Sequence, residues 1–301
     1  MLQQFDPRNK DLQVFVAGKL VHRDDAKISV FDSAVQGGDS VWEGIRVYDG
    51  YIFCLEKHLD RLFDSAHAMH FRGVPTRDEV SQAIFQTLAA NGMRDQCHMR
   101  LTLTRGVKIT SGMDPRLNQS GCTLIVLAEW KPPVYDNQNG IRVMTSSIQR
   151  NSPRHLDSKI HHSNLINNIL AKIQANEAGV DAALMLDAYG FVAELNGTNL
   201  FMTRKGVLYT PHADACLHGI TRSLIIELAH TLNIPIVEKN LSLTEFYTAD
   251  EVFCTGTMGE LTPVVQIDGR VVSNKHSTLI LPQLVQGFVS LIPKYGVAIP
   301  V

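Results

Sequence analysis

Two hairpin signals near the start of the chain do most to restrict its architecture. Asp49-Gly50 sits inside GIRVYDGYIFCL (44–55), and both residues tolerate the positive φ that a tight reversal requires. LQVFVAGKLV (12–21) is rich in β-branched residues and carries Gly18 at a turn position. Strands joined by such short reversals run antiparallel, so an all-parallel sheet is excluded even though strands alternate with helices along the chain. Between these strands and the next ones, EKHLDRLFDSAHAMH (56–70) places Leu59, Leu62, Phe63, Ala66 and Met69 on one helical stripe. A second helix is predicted over Thr76 to Asn91, with Gly92 as its stop. HMRLTLTRG (98–106) and CTLIVLAEW (122–130) read as buried strands.

KPPVYDNQNG (131–140) combines two prolines with Asp, Asn and Gly and is the best linker candidate. Beyond it come a strand at 141–147 and a helix at 164–178, with Leu165, Ile166, Ile169, Leu170 and Ile173 on one face. Four short strands at 182–187, 190–194, 199–203 and 206–210 follow, then a helix from Thr221 and a strand at 251–257. This order predicts a two-lobed α+β protein, with a small domain over 1–130, a linker over 131–140 and a larger domain over 141–301.

Lys+Arg 28 against Asp+Glu 30 gives a net charge of −2, which argues against a dedicated nucleic-acid or anionic-membrane partner. No apolar run approaches the roughly 18–20 residues of a membrane helix. The segment MLQQFDPRNK has no apolar core of the secretory type. Five cysteines, with no C-x-x-C pair, fit free thiols in a reducing cytoplasm. The dinucleotide, Walker A, G-x-S-x-G and H-E-x-x-H signatures are absent. His161-His162 and the pair His67 and His70 lack accompanying thiols or clustered carboxylates, so no metal site is expected and these read as solvated or interface histidines.

The chemistry concentrates at two glycine turns. His218-Gly219-Ile220-Thr221-Arg222 opens a helix, where free N–H groups, a hydroxyl and the helix dipole favour an anion. Thr255-Gly256-Thr257-Met258-Gly259 follows a strand in the same manner. Arg61, opposite an apolar stripe, reads by itself as a solvated arginine. Lys159 follows an irregular segment, and Glu194 closes the strand GFVAE as an ordinary strand-end acid.

In sequence order these features resemble the fold-type IV pyridoxal-phosphate (PLP) enzymes, the branched-chain and D-amino acid aminotransferase group. The resemblance runs from about Val14 to the final helix. It rests on VFDSAVQGGDSVWEGIRVYDG (30–50), HLDRLFDSA (58–66), SK (158–159), Glu194 with Asn199 and Phe201, GITR (219–222) and GTMGELTP (256–263). It implies that Lys159 holds PLP as a Schiff base and shuttles the substrate α-proton, and that Glu194 faces the pyridine nitrogen. Arg61 would clamp the phosphate, with Gly219, Ile220, Thr221, Gly256 and Thr257 completing the cup and Asn199 and Asn164 also on the cofactor. Trp42, Gly44, His98, Arg100, Met258 and Gly259 would line the substrate pocket. The implied reaction moves an amino group from a branched-chain or hydrophobic L-amino acid to a 2-oxo acid such as 2-oxoglutarate, in a homodimer or higher homo-oligomer.

Branched-chain members usually carry Tyr where this chain has His98; they also carry Tyr where it has Asn164 and at the Gly37 position, and these last two departures imply an atypical substrate range. The loop VKITSGMDPRLNQ (107–119) supplies Lys108 and Arg116, which keeps a D-amino acid or (R)-amine transaminase in view. An aminodeoxychorismate-type lyase of the same fold is a further alternative. A PLP- or metabolite-binding protein without turnover would not need both Lys159 and Glu194.

Overall fold

The computed structural model describes residues 3–272 and 279–300; Met1, Leu2 and Val301, at the outer limits of the two predicted domains, lie outside the described residues. The chain forms two compact units, and the change between them falls at Pro132 and Pro133.

The first unit contains residues 3–132, 160–164 and 292–301. Its strands are β1 (Gln13–Val16), β2 (Lys19–His22), β3 (Ser40–Tyr48), β4 (Tyr51–Phe53), β5 (Cys97–Thr104) and β6 (Thr123–Trp130). Asp49 and Gly50 take φ 46° and 84°, and their turn sets Tyr48 opposite Tyr51. Ala17 and Gly18 turn the β1–β2 hairpin in the same left-handed region.

Helix α1 (Ser33–Gly37) is short; α2 (Leu55–Ala68) and α3 (Arg77–Ala90) follow. Leu55, Leu59, Leu62 and Ala66 of α2 are spaced to fall on one face, and all are buried in the core with Val41, Ile45 and Val47 of β3. Thr76 and Glu79 form a reciprocal capping box at the start of α3, which fixes where that helix begins.

The second unit contains residues 133–159 and 165–291. Its strands are β7 (Ile141–Thr145), β8 (Ala182–Leu186), β9 (Val192–Leu195), β10 (Asn199–Arg204), β11 (Val207–Thr210), β12 (Ile236–Glu238), β13 (Glu251–Gly256), β14 (Glu260–Ile267) and β15 (Arg270–Val271). They order as β12-β11-β10-β13-β14-β7-β8-β9, with β15 on β14. Helices α4 (Ile166–Glu177), α5 (Ile220–Thr231), α6 (Leu243–Tyr247) and α7 (Leu281–Tyr295) accompany them.

Finally β16 (Gly296–Ala298) pairs antiparallel with β4, completing a seven-stranded sheet of order β16-β4-β3-β5-β6-β1-β2 in the first unit. Sequence reasoning assigns all of 141–301 to one domain, whereas 160–164 and 292–301 belong to the first unit. The cause is backbone pairing: Val41 bridges His162, Trp42 N donates to His161 O, and Ile299 joins the first unit's core.

A second difference concerns α4. Its stripe reads from sequence as one apolar face, yet Ile166, Ile169, Leu170 and Ile173 are exposed in this chain, while the buried contacts come from Ala171 and Ala175. The small residues allow close approach to β8, so the large aliphatic side chains project away from it.

Candidate active site

In the second unit, antiparallel pairing brings the start of β10 to the end of β13, with Asn199 opposite Thr255. Asn199 organises what surrounds it. Its Nδ2 donates to Glu194 Oε2 at 3.1 Å and to Leu217 O at 3.0 Å. A Cβ on Gly219 would fall 2.0 Å from Asn199 Oδ1, so only glycine allows the head of α5 to sit against this asparagine. Gly219 is the N-cap and offers no side chain to the first turn. The backbone N–H groups of Ile220 and Thr221 therefore open this end of the helix, with the buried Thr221 hydroxyl beside them.

Gly256 is similarly constrained, since a Cβ there would meet the Thr198 methyl at 2.9 Å. Thr257 and Met258 follow in a turn closed by Gly259 N on Gly256 O, and Val134 N donates to Met258 O at 2.8 Å. The buried hydroxyls of Thr198 and Thr255 have no hydrogen-bond partner among the described residues.

Glu194 is 4% exposed on β9, which overturns the reading of an ordinary strand-end acid. Burial raises its pKa, opposed chiefly by the Arg150 guanidinium at 2.7 Å and by the Leu217 N–H. Lys159 lies in an irregular turn, its Nζ 3.4 Å from Asp157 Oδ1 and 3.3 Å from Asp214 O. Lys159, Glu194, Asn199, Gly219, Ile220, Thr221, Gly256, Thr257, Met258 and Gly259 all belong to the second unit.

The first unit holds the remaining candidates on β3 and β5. Gly44 pairs with Arg100 and Arg46 with His98, so Trp42, Gly44, His98 and Arg100 share one sheet face. The Arg100 guanidinium lies 3.5 Å over the Trp42 ring, and burial lowers its pKa to about 10. His98 Nε2 is buried without a partner among the described residues and would stand 3.0 Å from a Cβ on Gly44, so the glycine keeps this part of the face open.

On the opposite face Glu43 is completely buried. It accepts from Arg61 Nε at 2.8 Å and Nη2 at 2.6 Å, pairs with His58 Nδ1 at 2.6 Å, and pairs with His161 Nδ1 at 3.1 Å. Arg61 is therefore not a solvated arginine. His161 is not a surface histidine either: its ring lies 4.0 Å from that of Trp42. His162 is also buried, and its carbonyl accepts from Trp42 Nε1 at 3.1 Å. Asn164 Nδ2 donates to Gly38 O at 3.0 Å.

Sequence reasoning misses Glu43 as a charge centre, although a carboxylate at an inward position of an apolar strand is a usable signal. It also misses Arg150 and Tyr135. The Tyr135 ring approaches Gly259, and burial raises the pKa of its hydroxyl. Neither carries a sequence signal, because their partners come from distant segments. Among the described residues no group of three or more His, Cys, Asp or Glu side chains could hold a metal ion. No helix among them is long and apolar enough to cross a membrane.

The family described as amino-transferase class IV matches residues 40–267. Branched-chain-amino-acid aminotransferase-like protein 2 of Arabidopsis thaliana is 58% identical over 98% of this chain and 53% of its own length. This chain thus spans about half the length of that curated relative. The branched-chain-amino-acid aminotransferase of Pseudomonas aeruginosa is 35% identical over 94% of each chain. The branched-chain amino acid aminotransferase of Thermobaculum terrenum, solved in its PLP-bound holo-form, superposes with a TM-score of 0.85. It is 26% identical, with 97% of this chain and 100% of that one covered. The Escherichia coli branched-chain amino acid aminotransferase superposes with a TM-score of 0.86 at 31% identity, covering 94% of this chain and 95% of that one. From the matched span and these relatives, the chain belongs to the class IV aminotransferases.

Proposed function

We propose that this protein is a PLP-dependent transaminase that moves the amino group of a branched-chain or hydrophobic L-amino acid to a 2-oxo acid such as 2-oxoglutarate. The observation that carries the reading is the shared placement of Lys159, the buried Glu194 and the uncapped head of α5 in one unit. These residues fit the cofactor: an amine to hold its aldehyde, a carboxylate for its ring nitrogen, and N–H and hydroxyl donors for its phosphate. The glycines at 219 and 256 leave no Cβ in that cradle, and unpartnered hydroxyls border it. When bound, PLP supplies the electron sink that makes an amino-acid α-proton removable.

The protein's own part is then positional. Lys159 Nζ takes the α-proton and returns it, and Glu194 presents an anionic oxygen to the ring nitrogen. Ile220 and Thr221 of α5 and Thr257 of the glycine turn anchor the phosphate. Asn199 braces Glu194, and Asn164 contributes to the cofactor surroundings. Met258 and Gly259 take the substrate carboxylate; in the first unit, Trp42, Gly44, His98 and Arg100 form a face suited to a substrate side chain. Arg100 suits a carboxylate on that side chain, which favours 2-oxoglutarate as acceptor.

The branched-chain relatives disfavour the D-amino acid reading. In the 107–119 loop Lys108 donates to Gly112 O and Arg116 pairs with Asp114. A half-reaction panel tests the assignment. L-Leucine, L-isoleucine, L-valine and L-glutamate are expected to bleach the visible band of the PLP-loaded protein, with D-amino acids and (R)-amines inert. Bleaching by D-alanine or an (R)-amine alone would overturn it.

The exposed aliphatic row of α4 supports a homodimer or higher homo-oligomer. Four large side chains on one helix face form an apolar patch suited to a self-complementary contact. Ile169→Glu is expected to shift the mass measured by light scattering from dimer to monomer at micromolar concentration. An unchanged mass would place the contact elsewhere. The five free cysteines support a reducing, cytoplasmic setting, and the near-neutral charge supports small-molecule partners rather than nucleic acid or membrane.

A further inference from the structure

Arg150 lies outside every motif discussed so far, yet it is the basic side chain paired with Glu194. Its Nη2 is 2.7 Å from Glu194 Oε1, and both side chains are buried. The guanidinium is held from a second side: Nη1 donates to Asn168 Oδ1 at 3.0 Å, and Asn168 Nδ2 donates to Asn196 O at 2.9 Å. The backbone is fixed too, by Arg150 N on Leu186 O at 2.8 Å. Its Nε has no partner among the described residues. A buried, incompletely satisfied arginine costs stability unless its charge is used, and the charge it meets is that of Glu194.

We propose that Arg150 is a positioning residue that keeps Glu194 ionised and aligned as the anionic partner of a protonated cofactor ring nitrogen. The proposal rests on the reading that Glu194 faces that nitrogen. The ring nitrogen and the carboxylate share one proton, which resides on the more basic of the two. A neighbouring guanidinium lowers the basicity of the carboxylate and leaves the proton on the ring, where it strengthens electron withdrawal.

The other groups facing Glu194 cannot substitute. Asn199 Nδ2 and Leu217 N are neutral donors. Arg222 is engaged with Glu238 and with Pro211 O. Burial pushes the Cys216 thiol up to about 12, so it remains neutral near pH 7. Burial already raises the Glu194 pKa with Arg150 in place, and its loss would raise it further.

The test uses the full chain, first without cofactor. Infrared difference spectra over a pH titration read the protonated carboxyl stretch of Glu194, with Glu194→Gln identifying the band. Arg150→Met is expected to move the midpoint upward by at least about one pH unit, whereas Arg150→Lys, which retains the charge, stays near the parent. In the PLP-loaded protein, Arg150→Met should lower kcat by about 10- to 100-fold with KM within about threefold. Nitrogen NMR of labelled cofactor should show loss of ring protonation.

An unchanged midpoint in Arg150→Met overturns the proposal, as does an equal shift in Arg150→Lys. If Arg150→Met does not fold, Asn168→Ala, which releases the guanidinium from its second anchor, must shift the midpoint in the same direction; no shift is equally fatal. If the midpoint moves as expected but Glu194→Gln leaves ring protonation intact, the failure lies with the assigned role of Glu194 and not with its control by Arg150.

Discussion

Lys159→Ala is expected to reduce transamination by at least about 10⁴-fold while leaving the protein folded. The fold should survive because the Lys159 side chain is 36% exposed, and its amine makes two long contacts, to Asp157 and to the Asp214 carbonyl. Losing interactions of that kind changes stability by about half a kilocalorie per mole. The activity should not survive, because Lys159 is the residue proposed both to hold the cofactor and to move the α-proton. Stopped-flow half-reactions with L-leucine, alongside circular dichroism and thermal melting, separate the two effects. Turnover within about tenfold of the parent, with an unchanged melt, would remove Lys159 from the mechanism. Added methylamine should restore part of the rate, since a small amine can occupy the volume of the lost side chain and accept the same proton.

Much of this arrangement could be anticipated from local chemistry. Asp49-Gly50, the helix start at Thr76 and the Gly219 helix start are short-range signals, each set by backbone torsion or by a donor within one turn. The structure places them where the residues indicate. What local chemistry could not anticipate were partners distant in sequence. Arg61 reads as solvated from its helix, because the acceptor that buries it, Glu43, is 18 residues away on a strand. His161 reads as exposed, because the backbone pairing that places it beside Trp42 joins segments remote in sequence. Arg150 and Glu194 likewise come from separate segments, an irregular stretch after β7 and the strand β9.

The α4 stripe shows the opposite limit. Periodicity identifies an apolar face correctly, but it does not state whether that face packs inside the chain or is left for another surface. The two-domain division has the same weakness: composition marks the 131–140 stretch, whereas the return of 292–301 depends on β16 finding the edge of β4.

The buried charge centre around Glu43 makes a second large effect measurable. Burial alone would raise the Glu43 pKa, but His161 and Arg61 hold it well below the usual carboxylate range. Replacing it with alanine leaves Arg61 without its buried counter-charge, at an expected loss of about 3–5 kcal/mol of stability. Two buried histidines, His161 at this centre and His98 on the other sheet face, dictate an acid response. Burial lowers the His161 pKa to about 4, and burial with the nearby Lys131, Arg46 and Arg100 charges lowers that of His98 to about 3.

A histidine whose folded pKa lies below its unfolded value of about 6.5 is protonated in the unfolded chain first. Its contribution is therefore complete above about pH 6.5 and declines as pH falls toward 4 for His161 and toward 3 for His98. Glu43 adds to the same trend only at lower pH, once the unfolded carboxylate begins to protonate near about 4.3. Urea unfolding at about pH 7 and about pH 5 should differ by about 2 kcal/mol for each of the two histidines. His98→Phe should remove about half of that difference, since its Nε2 has no partner to lose among the described residues. A stability that is level between those two pH values would mean that both rings accept protons in the folded state, and that the Glu43 cluster carries a net positive charge under mild acid.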